Sequence, residues 1–104
     1  MVAGKVFDKT AEEMDLLERH LVMLKVTKEN QPVGIIRLSE ILGMPKHKVR
    51  YSLRLLEQDG LIVATPEGAI VTDRYAEFMK ELSEHLKTLE SRIEDIRSEI
   101  PKSA

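Results

Sequence analysis

The chain has no cysteine and no tryptophan, and only two tyrosines and two phenylalanines. The missing cysteine excludes disulfides, cysteine nucleophiles and thiolate metal sites. The shortage of aromatics leaves Leu, Ile, Val and Met to build the core. No apolar run is long enough to cross a membrane, and no hydrophobic signal-like stretch opens the chain, so a cytoplasmic protein without membrane attachment is expected. No glycine-rich phosphate loop and no nucleophile–base pattern occurs, which predicts neither an enzyme nor a bound cofactor. The three histidines, His20, His47 and His85, lie far apart and predict no metal site.

A further absence is local. The protein carries a net charge of -2, yet no acidic residue occurs from Ile41 to Leu56. That window holds Lys46, His47, Lys48, Arg50, Tyr51 and Arg54. Residues 32–72 are the only part of the chain in which basic side chains outnumber acidic ones. A weakly acidic protein is not generally adhesive to nucleic acid, so any such contact has to be local, and this window is where it falls.

With 104 residues the chain is one small domain with helical extensions. Thr10-Ala11-Glu12-Glu13 reads as a capping box that opens a helix running to about Lys28. Met14, Leu17, Leu21 and Leu24 share one face of that helix, and Leu16, Val22, Met23 and Val26 widen it, which predicts burial on two sides. Asn30 to Gly34 breaks the pattern, with Pro32 ending the helix. A short helix then turns Leu38, Ile41 and Leu42 inward, Gly43 stands as its C′ residue, and Pro45 suits the first turn of the next helix. In that helix Val49, Leu53 and Leu56 form the apolar face. Asp59-Gly60 stops it. Leu61–Ala64 and Ala69–Thr72 are β-prone, and Thr65-Pro66-Glu67-Gly68 between them fits a type I turn, giving a β-hairpin.

Thr72-Asp73 is a possible cap for a last helix reaching about Ile100. Its apolar residues Tyr75, Met79, Leu82, Leu86, Leu89, Ile93, Ile96 and Ile100 alternate by four and three, a heptad seam without a break. A helix of about 28 residues is roughly 42 Å long, more than so small a domain covers, and this favours a dimerisation coiled coil over packing within the chain. A parallel pair sets Arg92 against Arg97. An antiparallel pair sets Glu90 against Arg97 and Arg92 against Glu99, a preference of only a few tenths of a kcal/mol per pair.

The segment from Ile35 to Ile62 resembles the winged helix-turn-helix regulators of bacteria and archaea. The matching marks are Leu38, Ile41 and Leu42, then Gly43 and Pro45 in the turn, then Val49, Leu53, Leu56 and Gly60-Leu61-Ile62. The resemblance implies a mainly α fold with a small β-hairpin, a winged helix-turn-helix flanked by long N- and C-terminal helices. Residues 1–31 would support the core and dimer, 32–72 would bind DNA, and 73–104 would dimerise. It also implies that residues 45–58 form a recognition helix in the major groove of double-stranded DNA. Arg50 and Arg54 suit guanine, Lys46, His47 and Lys48 suit phosphates, and Tyr51 suits a sugar or a thymine methyl. Wings of this family often carry a basic tip, whereas this one carries Pro66 and Glu67. The expected function is sequence-specific transcriptional regulation by a homodimer. The alternatives are an architectural DNA-binding protein with little sequence choice, and a protein-interaction adaptor that does not bind DNA. Target sequence, sign of regulation and any small-molecule effector are not encoded in a readable pattern.

Overall fold

The computed structural model describes residues 5–103. Four helices and one hairpin follow one another: α1 (Lys5–Asn30), α2 (Ile35–Leu42), α3 (Lys46–Gln58), β1 (Ile62–Thr65), β2 (Gly68–Val71) and α4 (Tyr75–Ser98). The chain divides between Asp73 and Arg74 into two units, one holding α1 to β2 and the other α4.

In the first unit, α1 begins earlier than the capping box suggested. Thr10 lies inside the helix, because Lys5 to Lys9 contain nothing that breaks helical geometry and the hydroxyl therefore has no exposed helix start to cap. Only the second half of α1 is buried, through Met23, Leu24 and Thr27, whereas Val6, Phe7 and Met14 are exposed. Burial on two sides is thus not found along the helix as a whole. Thr27, fully buried, satisfies its hydroxyl by donating to the Met23 carbonyl at 2.7 Å.

Helix α2 ends on Gly43 in the left-handed conformation (φ 61, ψ 37). Gly43 N–H donates to Glu40 O and Met44 N–H to Ser39 O, the paired bonds of a Schellman motif that satisfy carbonyls at the helix end. The Ser39 hydroxyl also bonds the Met44 carbonyl. Leu38 is fully buried and Leu42 half-buried, but Ile41 is exposed: an eight-residue helix turns only a narrow stripe inward. Pro45 stands one position before α3 rather than in its first turn. Its backbone is extended (φ -60, ψ 146), and its carbonyl accepts from Lys48 and Val49 N–H. Val49 and Leu56 are buried and Leu53 is half-buried. Gly60 closes α3 as Gly43 closes α2, with Gly60 N–H donating to Glu57 O and Leu61 N–H to Leu56 O.

The hairpin is antiparallel, with Ile62 opposite Val71 and Thr65 opposite Gly68, so its loop is Pro66-Glu67. Thr65 locks the turn: its hydroxyl donates to Gly68 O and accepts from Glu67 N–H. The far side of β2 is not an open edge. Val33 pairs with Ala69 through two hydrogen bonds, Val33 N–H to Ala69 O at 3.1 Å and Ala69 N–H to Val33 O at 2.8 Å. Gln31 Oε1 accepts from Val71 N–H just beyond. The core gathers Met23, Leu24, Val33, Leu38, Val49, Leu56, Leu61, Ile62 and Ala69 from every element of this unit.

Thr72 is tied back to the end of α3 and the start of the hairpin. Its N–H donates to Leu61 O and its hydroxyl to Gly60 O. The N-cap of α4 is Arg74, which pairs with Glu77 at 3.3 Å and Glu81 at 3.6 Å. Among the eight residues of the heptad seam Leu82 is buried and Tyr75, Met79 and Leu89 are half-buried. Leu86, Ile93, Ile96 and Ile100 are exposed, the last two at 62%.

Candidate nucleic-acid interface

Helix α3 is amphipathic in an uneven way. Val49, Ser52 and Leu56 fall on one side and are buried. With 3.6 residues per turn, His47, Arg50, Tyr51 and Arg54 then fall on the opposite side. All four are exposed, as are Lys46 and Lys48. Glu57 is the only acidic residue on α3, and it comes after the basic run.

The structure adds a residue to the six expected from sequence. Arg19 of α1 lines a shallow cleft of about 460 Å³ with His47, Lys48, Arg50, Tyr51 and Arg54, and no acidic side chain shares that lining. Nothing in the local sequence marks Arg19: it stands between Glu18 and His20 on an ordinary helix, and only the packing of α1 on α3 brings it here. A second cleft, of about 350 Å³, lies between α3 and the hairpin. Arg50, Arg54 and Glu57 line one side of it, and Ala64, Thr65 and Gly68 line the other. Pro66 and Glu67 at the hairpin tip are exposed. The seam residues of α4 belong to the other unit.

Behind the basic face, His20 fixes α3 to α1. Its Nδ1 shares a 3.0 Å hydrogen bond with the hydroxyl of buried Ser52, and its ring lies 6.2 Å from that of Tyr51, tilted by 38°. Burial lowers the His20 pKa below its ordinary value. The Arg19 charge lowers it further, and Asp59 partly opposes this. A histidine whose folded pKa is depressed supplies stability that is present above its unfolded pKa and is lost as pH falls towards the folded value. The protein is therefore expected to lose stability as pH drops through and below about 6.5, and His20→Gln is expected to flatten that dependence. Thermal melts of both proteins across this range check it, and parallel profiles would contradict the assignment.

Among the described residues no cluster of three or more His, Asp or Glu side chains is placed to hold a metal ion, and no helix is long and apolar enough to cross a membrane. No protein-family model matches the chain, and no curated protein matches it in sequence.

Proposed function

We propose that the chain is a winged helix-turn-helix regulator that binds double-stranded DNA as a homodimer, with α3 in the major groove. One observation carries this reading. Six residues of α3, Lys46, His47, Lys48, Arg50, Tyr51 and Arg54, are all exposed and lie together on a protein that is otherwise slightly acidic. The sharp α2–Gly43–α3 connection and the hairpin directly after α3 support it. An α-helix fits the major groove, phosphate contacts set register, and guanidinium groups read guanine edges. Dimerisation through α4 rests on the exposed Leu86, Ile93, Ile96 and Ile100. It would place two recognition helices on half-sites about one helical turn, or a multiple, apart.

The Arg50→Ala/Arg54→Ala double variant tests the proposal. Each bidentate base contact is worth about 1–3 kcal/mol, so duplex affinity is expected to fall by at least about thirtyfold with the oligomeric state unchanged. Unchanged affinity at moderate salt would sink the proposal. Selection from a random duplex pool separates the regulator from an architectural protein: a regulator enriches a defined, palindromic site, and an architectural protein enriches none.

A further inference from the structure

Arg19 is the one described residue with a buried side-chain N–H that has no partner. Its Nε is shielded from solvent and makes no hydrogen bond, and Arg19 takes part in no ion pair within 4.0 Å. The rest of the side chain reaches two clefts. In the first its neighbours are Lys48, Arg50, Arg54, His47 and Tyr51. The second cleft lies against the α2–α3 turn, with Glu12, Asp15, Pro45 and again Lys48 in its lining. A guanidinium that shares one of its clefts with Lys48, Arg50 and Arg54, and whose Nε–H is unspent, is suited to receive an anion there. Carboxylates line only the second cleft, so the anion approaches through the first, whose lining is free of them.

We propose that Arg19 and Lys48 form a phosphate-binding seat that joins α1 to α3, so that α1 itself grips the nucleic-acid backbone. The seat takes one non-esterified phosphate oxygen pair, with the planar guanidinium supplying two donors and the Lys48 ammonium a point charge. His20, next to Arg19 on α1, and Ser52, about one turn beyond Lys48 on α3, hold the two helices together beside the seat. The identity of the polymer rests on the DNA-binding reading above, whereas the phosphate seat itself does not. Arg50 and Arg54 point towards bases in that reading, so the seat separates backbone grip from base reading.

The test compares wild type with Arg19→Gln in duplex binding over a range of salt concentrations. Arg19→Gln is expected to weaken binding by the same factor for every duplex sequence. It should also lower the slope of log K against log salt by about one per subunit, with an unchanged melting temperature. Arg19→Lys, which keeps the charge, should retain the slope, and Glu12→Gln/Asp15→Asn should tighten binding. Wild-type affinity and slope in Arg19→Gln would overturn the seat while leaving DNA binding intact. A wild type that binds no duplex would instead overturn the DNA reading. The seat is then decided by titrating the wild-type protein with inorganic pyrophosphate and following the Arg19 Nε–H resonance. A saturable shift supports it and an unmoved resonance refutes it. The same resonance serves if Arg19→Gln fails to fold.

Discussion

Gly68→Ala is expected to cost about 3–5 kcal/mol of stability, from combined backbone strain and overpacking. Gly68 has φ +135, a region that L side chains rarely adopt. A methyl there would sit 2.7 Å from both the backbone N and C of Val33 and 2.9 Å from its O. These are backbone atoms, fixed by the Val33–Ala69 hydrogen bonds, so they cannot rotate away. The added carbon must either break that bridge or force β2 off its pairing with β1. A domain of this size typically has only about 5–15 kcal/mol in total, so the variant should approach the threshold of folding. Gly34→Ala is the matched control. Gly34 has φ -92 and nothing within 4 Å of a new Cβ, so that change should be neutral or stabilise by under about 1 kcal/mol. Urea unfolding of the three proteins compares the effects directly. Equal midpoints for Gly68→Ala and wild type would show that Val33 yields more easily than its hydrogen bonds imply.

If α4 pairs as proposed, the Ile93→Glu/Ile96→Glu variant is expected to be monomeric at concentrations that keep the unaltered chain paired. Ile93 and Ile96 are 52% and 62% exposed in the single chain, so neither supports it by burial and each is available to a partner. Complete burial of an isoleucine side chain is worth at least about 1.5 kcal/mol. Only the 52% and 62% still exposed is left to bury, so the four residues of a symmetric pair supply on the order of 3 kcal/mol, about two decades in the dissociation constant. Introducing four carboxylates into an apolar seam adds to the loss. Sedimentation velocity measures the state, and melting of the first unit should be unaffected. Duplex affinity should fall with the dimer, because each half-site is then held alone. A variant that still sediments as a dimer would move the interface away from α4, towards other exposed apolar residues such as Val6 and Phe7.

Much of the architecture was legible because it is local. Gly43 and Gly60 mark helix ends whose left-handed backbone only glycine adopts freely. Thr65 to Gly68 spell out their turn, and the four-and-three spacing from Tyr75 onward specifies a helix by periodicity alone. What was missed depends on neighbours distant in sequence. Val33 looked like part of a chain break, since one residue pairing with Ala69 leaves no alternation to detect. The bonds from Thr72 to Gly60 and Leu61 likewise join residues about a dozen positions apart. Thr10 resembled a cap, and only the helical run of the preceding residues shows that it is not one. The candidate interface was legible as a set of residue types on α3, because the apolar stripe Val49, Leu53 and Leu56 leaves the basic residues to the other side; that Ser52 is buried with Val49 and Leu56, and Leu53 only half so, depends on His20 of α1. Arg19 was invisible: its role depends on how α1 packs, and a lone arginine in an amphipathic helix looks like any solvated charge.

The bridge between Val33 and Ala69 also sets how the hairpin can move. Val33 is two residues before the start of α2, and Ala69 is one residue inside β2. With a hydrogen bond in each direction between them, the hairpin cannot swing as an independent flap. Any tilt of β2 must carry the chain leading into α2, and with it the angle at which that helix meets α3. On the proposed reading, fitting to a DNA groove would fall mainly to the two-residue tip, Pro66 and Glu67, and the rest of the hairpin would move only together with the entry to α2.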